Sequence, residues 1–286
     1  MIRFSIGLLA CLTMACSPSP VPPAPPAPQG EVVWTASGEG RPIVVLHGGP
    51  GMRHDYLRPE WMPLSADARV VFYDQRGCGR STRWGPYTWQ RQLDDLTTVL
   101  GQAAPRERVV LAGTSWGAWL ALAYAARHPD RVAGVVVSGV TPWPRPGDST
   151  YAGLPPPQRA RIDSLLAGLP VVPRPPVDSA NAARIFAGAD SVLALRIGPF
   201  CREANVALRV SLRDFPPLES LRAVRVPVLL VGGDRPGPWR DARPEIAAVL
   251  QDARVLDLPG AGHDPWLDRP EDFRRAVRSF VRTLPR

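Results

Sequence analysis

From Glu31 onward, apolar residues fall alternately into short β-branched runs and longer stretches with helical spacing. Val32 to Thr35, Ile43 to Leu46, Val70 to Tyr73, Glu107 to Ala112, Val132 to Val137, Val228 to Val231 and Ala253 to Leu256 read as strands. The run Val132 to Val137 has no charged or polar position, which suits a strand buried on both faces. Between these runs, Thr88 to Gln102 places Leu93, Leu96 and Leu100 on one helical face, and Ala118 to Arg127 is apolar on nearly every face. Pro244 to Leu250 and the amphipathic stretch Pro270 to Leu284 read as further helices. Such alternation predicts an α/β fold: a mostly parallel sheet flanked by helices.

The alternation is interrupted once, after the sixth or seventh strand, and the interruption runs from Pro142 to about Arg225. There, Pro155-Pro-Pro157 and Pro173-Arg-Pro-Pro176 punctuate short helical stretches at Arg159 to Leu169 and Ala180 to Ala189. A core at 31–141 and 226–286 with an inserted helical cap at 142–225 is expected, because the C-terminal pieces are too few to bury a sheet alone. The N-terminus differs in kind. Residues 1–16 carry one charge, Arg3, then an apolar run too short to span a bilayer as a stable anchor, which reads as a secretory signal. Its end, Leu12-Thr-Met-Ala-Cys16, resembles a bacterial lipoprotein signal, with Cys16 as the lipidated residue. Leu8-Leu-Ala-Cys11 fits that box by letter but leaves a shorter apolar run. Residues 17–30 form a proline-rich tether that favours extended polyproline II. The expected location is across the inner membrane, anchored and facing the periplasm or cell exterior. Processing at Cys16 would leave Cys78 and Cys201 in the folded part, two thiols that do not make a disulfide framework.

A formal charge of +8 raises the question of nucleic acid, but all 34 basic residues are arginine, scattered and interleaved with acids as in Glu271-Asp-Phe-Arg-Arg275. No patch with interleaved aromatics appears, so nucleic-acid binding is not expected.

The chemistry concentrates at Leu111 to Trp119. Gly113-x-Ser115-x-Gly117 has the spacing of a nucleophile elbow, a sharp strand-to-helix turn that presents a serine. The preceding strand and following apolar helix are the context this motif needs. A serine attacks well only when a histidine accepts its proton, and in this arrangement the order is serine, acid, histidine. His47 and His54 come too early, and His128 ends the helix that starts at the serine. His263 remains, in the small-residue loop Gly260-Ala-Gly-His263. The acid should follow a late strand, and Asp234 ends Val228-Leu-Leu-Val-Gly-Gly-Asp234. Of the alternatives, Asp241 reads as the start of a helix, Asp257 lies within a strand, and Asp264 reads as a loop-capping residue. Glycines in His47-Gly-Gly-Pro-Gly51 let backbone N–H groups face the site. Gly49 and Trp116 are the expected oxyanion donors, each contributing roughly 3 kcal/mol in the transition state. No phosphate-binding loop signature follows these glycines. In Asp74-Gln-Arg-Gly-Cys-Gly-Arg-Ser81, Asp74 and Arg76 read as structural hydrogen-bonding residues.

Together, His47-Gly-Gly-Pro-Gly51, the Asp74 to Ser81 string, Thr114-Ser-Trp-Gly117 with Leu120-Ala-Leu-Ala-Tyr124, and His128-Pro-Asp-Arg-Val132 resemble the proline iminopeptidase family of α/β-hydrolases. The likeness covers about Arg41 to Ser138 and Val226 to Arg286. It implies a serine hydrolase that releases an N-terminal residue, often proline, from a short peptide through an acyl-enzyme, with no cofactor and no metal. It also implies Ser115, Asp234 and His263 as the triad. That family holds the substrate's ammonium with cap glutamates, commonly in a Trp-Glu pair; here the nearest likeness is Phe200-Cys-Arg-Glu203, without the tryptophan. Glu203 is the candidate amine anchor, or else a surface acid paired with Arg202 or Arg209. Trp116, Trp143 and Phe200 are candidate walls of an apolar pocket. The same machinery also fits a carboxylesterase or lactonase acting on a small ester, and a surface lipoprotein that keeps the core for binding is the non-enzymatic alternative.

Overall fold

A computed structural model of the protein describes residues 31–142, 154–167, 201–237 and 240–285. The leader, both lipobox cysteines, the tether, Trp143, Phe200 and the stretch Ala180 to Ala189 lie outside the described residues.

Seven strands form one sheet: β1 (Trp34–Ser37), β2 (Pro42–Leu46), β3 (Arg69–Tyr73), β4 (Val109–Thr114), β5 (Val132–Ser138), β6 (Val228–Gly232) and β7 (Ala253–Asp257). Their order is β1-β3-β2-β4-β5-β6-β7, with β1 antiparallel to β3 and every other pair parallel. The observed β1 begins two residues later than the apolar run suggested, because pairing with β3 sets its ends. The insertion follows the fifth strand of the chain rather than the sixth or seventh.

The central strands are buried along their whole length because both faces are covered, and their side chains alternate between two cores. Val44, Leu46, Val109 and Leu111 face one core, while Ile43, Val45, Val110 and Ala112 face the other. The first core is covered by α1 (Trp89–Ala103) and α2 (Trp116–Arg127). Thr88 caps α1 by accepting from Arg91 N–H, and Leu93, Leu96 and Leu100 are buried as their spacing predicts. The second core is closed by Trp61, Trp266 and the apolar face of the C-terminal helix, Phe273, Val277 and Phe280.

Between β5 and β6 the described residues contain α3 (Pro156–Leu166) and α4 (Arg202–Ser211). Both dock on the core by hydrogen bonds to main chain. Tyr87 N–H reaches Leu165 O, and Ser211 Oγ accepts from Trp89 N–H at 3.1 Å. At the other end of α4, Cys201 N–H and Asn205 Nδ2 donate to Gly51 O and Pro50 O, so the cap grips the glycine loop directly. The helix after β6 is α5 (Arg243–Val249), and α6 (Pro270–Thr283) closes the chain.

Candidate active site

β4 ends at the middle of the sheet, where the chain turns through Ser115 into α2. Ser115 has φ 52° and ψ −118° and is the one non-glycine at positive φ among the described residues. Such a backbone is strained for an L-residue and persists only where its surroundings enforce it. Those surroundings are close. A β-carbon on Gly113 would stand 2.2 Å from Gly117 O, and one on Gly117 would stand 2.2 Å from Leu46 O. Glycine is therefore required on both sides, and the turn lifts Ser115 off the sheet edge into a cavity of about 290 Å³. His263, Gly49, Trp116 and Trp119 line the same cavity.

The glycine loop after β2 is held by a network of buried side chains. Gln75 N–H donates to His47 Nε2 at 3.0 Å, so Nδ1 carries the proton and donates to Gly48 O at 2.9 Å. Burial pushes the His47 imidazole down to about 4, which keeps it neutral near neutral pH. The Gln75 side chain donates to His47 O at 2.8 Å and accepts from Trp116 Nε1 at 2.7 Å, tying the loop to the first residue of α2. Gly48 N–H is taken by Tyr56 Oη at 2.8 Å. A β-carbon at Gly48 would lie 3.3 Å from Ser115 Cβ, so the loop packs against the serine. Gly49, at φ 120°, and Trp116, at a helix start whose first N–H groups have no intrahelical acceptor, both border the cavity. Gln75 and Tyr56 were not singled out in the sequence; Gln75 lies 28 residues from His47 and 41 from Trp116, a separation that hides the contact.

Asp74 and Arg76 support this loop rather than face the cavity. Asp74 accepts from the N–H groups of His54 and Arg80 and bonds His54 Nδ1 at 2.8 Å. Burial pushes its carboxyl up, but the His54 hydrogen bond and charge, with Arg80 N–H, prevail and hold it well below the usual carboxylate range. Arg76 makes two hydrogen bonds to Asp95, at 2.7 and 2.8 Å, both partners buried.

His263 follows β7 and is half-buried in the cavity wall. Gly139, just past β5 at φ 58°, makes room for it: a β-carbon there would stand 2.5 Å from His263 O and 3.2 Å from Nε2. Burial pushes the imidazole down to about 4, against the opposing pull of the Asp241 charge.

Asp234 is not brought to this imidazole. The segment after β6 continues to pair with the loop after β7, through Leu258 N–H to Gly232 O and Arg235 N–H to Ala261 O. That pairing turns the Asp234 side chain outward, where it is exposed and accepts from Gly260 N–H at 2.7 Å. Asp241 instead shares a small pocket with His263 and Gly139. It is held by Arg243, which is buried and also binds Asp257 at 2.8 Å and Leu256 O at 3.0 Å. Asp241 also accepts from Arg243 N–H at the start of α5, the helix-start position that its sequence suggested.

Glu203 lies in the first turn of α4 and outside the cavity lining. Its carboxylate takes two hydrogen bonds from Arg161 of α3, at 2.5 and 3.3 Å. Arg209 lines the cavity. Cys78 and Cys201 are buried free thiols, and burial pushes both up. Among the described residues no group of three or more His, Cys, Asp or Glu side chains is placed to hold a metal ion, and no helix is long and apolar enough to cross a membrane.

The sheet order, the strained serine at the end of β4 and the histidine after β7 meet a matching family profile over residues 43–276. The chain belongs to the alpha/beta hydrolase family. Among relatives of this alpha/beta hydrolase, a proline iminopeptidase of Saccharolobus solfataricus is 38% identical over 109 residues, 37% of this chain and 35% of that protein. The chain thus spans about a third of the length of such relatives at this identity. The proline iminopeptidase PfmaB of Pestalotiopsis fici aligns over 85% of the chain and 92% of its own length at 26% identity. In structure, an esterase of Thermogutta terrifontis superposes with a TM-score of 0.67 at 22% identity, over 88% of this chain and 93% of that one.

Proposed function

We propose that this alpha/beta hydrolase is a serine aminopeptidase that releases an N-terminal proline or small apolar residue from short peptides. The observation that carries the reading is Ser115, held at positive φ in a cavity it shares with His263 and the glycine loop. As Ser115 Oγ bonds the scissile carbonyl carbon, its proton passes to His263. Gly49 N–H and Trp116 N–H stabilise the developing oxyanion. The C–N bond breaks as His263 returns the proton to the leaving amine; a water then adds to the acyl carbon as His263 takes its proton, and the acyl–Oγ bond breaks as that proton returns to Ser115 Oγ. Asp241 stabilises the imidazolium formed in each step and fixes the ring's orientation; this role passes to it from Asp234. Support for the peptidase reading comes from the relatives that are proline iminopeptidases by name.

A carboxylesterase is the second reading. It is favoured by the Arg161–Glu203 pair, which engages the one cap carboxylate that the sequence put forward as amine anchor, and by the fold likeness to an esterase. Turnover of prolyl and alanyl aryl-amides, their N-acetylated forms and simple aryl esters separates the two. A preference for free over blocked amines of at least tenfold supports the peptidase; equal rates, with faster esters, support the esterase. No turnover of any of them, with Ser115 unlabelled by a fluorophosphonate, would overturn both.

We further propose, from the sequence of residues 1–30, that the chain is exported and anchored through lipid on Cys16. Palmitate labelling lost in Cys16→Ser would support this, and labelling retained would move the anchor to Cys11.

A further inference from the structure

Arginines scattered along the sequence are gathered by the parallel sheet. In sheet order, Arg69, Arg41, Arg108, Arg131, Arg225 and Arg254 stand within three residues of the start of β3, β2, β4, β5, β6 and β7. Parallel strands begin at one end, so the six form a row across that end of the molecule. Main-chain bonds knit it: Arg69 N–H donates to Arg41 O, and Val109 N–H to Arg131 O. With neighbouring strands about 4.8 Å apart, the row spans roughly 24 Å. Ser115 lies at the opposite end of β4.

Several of these guanidinium groups rest on neutral acceptors. Arg108 donates to Val132 O at 2.7 Å, Arg131 to Ala104 O at 2.9 Å, Arg225 to Gln251 Oε1 at 3.3 Å and Arg254 to Thr283 Oγ1 at 2.9 Å. Such bonds hold the side chains at that end without cancelling their charge. Exposed Arg282, beside Thr283 in the last turn of α6, adds to the row. Of the acids at this end, Glu107 is matched by Arg69 and Asp67 by Arg278, and Asp252 lies 3.8 Å from Arg254 Nε. Glu39 and Asp130 stand here too, and exposed Arg106 and Arg222 equal them in number, so the excess is positive. Among the described residues the one exposed large apolar side chain is Val255, and no exposed aromatic interleaves with the row.

We propose that this arginine-lined end docks on anionic lipid headgroups and so turns the Ser115 cavity away from the membrane, toward the aqueous side. The choice of a lipid surface rests on the anchor reading of residues 1–30, which keeps a headgroup layer within reach of the fold. The chain enters the fold at Glu31, whose carbonyl accepts from Thr82 N–H at the active-site end. The tether must therefore return past the sheet, where a five-residue strand is about 17 Å long. As polyproline II, residues 17–30 span about 43 Å, enough for that path. A guanidinium is planar, weakly hydrated and able to pair with a phosphate through two parallel bonds, which suits it to headgroups. Each arginine at an anionic surface strengthens binding by about fivefold.

The test uses the chain from residue 16 onward with Cys16→Ser, which keeps the tether and every described residue but carries no lipid. Co-sedimentation is measured with vesicles of phosphatidylcholine, alone or with about a third phosphatidylglycerol. Binding to the anionic vesicles is expected at about 0.05 M salt, at least about tenfold tighter than to the neutral ones, and is lost near 0.5 M salt. Arg225→Gln with Arg282→Gln should weaken it by roughly twentyfold to thirtyfold. Arg202→Gln with Arg213→Gln, which removes the same charge from the cap, should weaken it by less than about threefold, since distant charges are screened. On anionic vesicles, amide hydrogen exchange should slow at Arg106 to Arg108 and Arg222 to Arg225 but not at Gly48 to Gly51. Equal binding to neutral vesicles, equal loss in the two double variants, or slowing at the glycine loop alone would each overturn the proposal. So would a DNA duplex that displaces the chain at a lower phosphate concentration than the lipid presents, which would assign the row to nucleic acid. The salt and exchange measurements need no substitution in the row, so they decide even where a variant fails to fold. Failure of the anchor reading would show instead in palmitate labelling, with the vesicle result unchanged.

Discussion

At the scale of single residues, the two candidate acids make opposite predictions. Asp234 accepts from Gly260 N–H at the surface, whereas Asp241 shares a pocket with His263 and lends it charge. Asp241→Asn is expected to lower kcat by a factor on the order of a thousand or more, as losing an orienting acid does in serine hydrolases. Removing its charge also removes a pull that opposes burial at the imidazole, so the acid limb of the pH profile should move further down. Asp234→Asn should change kcat less than threefold. Steady-state kinetics across pH 3.5 to 8 on both variants checks this, and the reverse pattern would return the role to Asp234. The order of serine, acid and histidine was legible in the sequence because it reflects topology. Which aspartate to propose for the middle place was not, because Asp234 is turned outward by main-chain pairing that joins segments about 26 residues apart.

At the scale of elements, the elbow is a contact between main chains. β2 and α2 approach so closely that Gly117 has Leu46 O where a side chain would begin, and the register of β2 on β4 fixes that approach. Neither element can yield without unpairing the centre of the sheet. Gly117→Ala is therefore expected to cost at least about 3 kcal/mol of stability, at the upper end of overpacking penalties. Urea unfolding followed by tryptophan fluorescence measures it; a cost under about 1 kcal/mol would mean that α2 slides freely along the sheet. α4 shows what periodicity misses. Its hold on the site runs through Cys201 N–H and Asn205 to the carbonyls of Gly51 and Pro50, contacts that hydrophobic spacing does not encode.

For the whole molecule, the buried network under the glycine loop ties stability to pH. His47 is held neutral, with its imidazole pushed down from 6.5 to about 4 by burial, so the unfolded chain binds a proton there that the folded chain does not. Stability is full above pH 6.5 and falls as pH drops toward 4, by roughly 3 kcal/mol from this residue. Asp74 is lowered instead, so its contribution is present above its ordinary 3.8 and is lost as pH falls further. Urea midpoints measured from pH 7 to 4 should decline steadily, and His47→Gln should flatten that slope; an unchanged slope would place the acid sensitivity elsewhere. The sequence by itself determined the strand and helix alternation and the elbow, because these depend on local spacing, and chain order put forward Ser115 and His263, which line one cavity. Tertiary structure alone decided which carboxylates meet the site. Asp234 and Glu203 are drawn to Gly260 and Arg161, while Asp241 and Asp264 come to the histidine and the cavity. The physical reason is that a carboxylate goes where hydrogen-bond donors and positive charges meet it, and such groups, like Arg161 for Glu203 and Gly260 for Asp234, can come from distant parts of the chain.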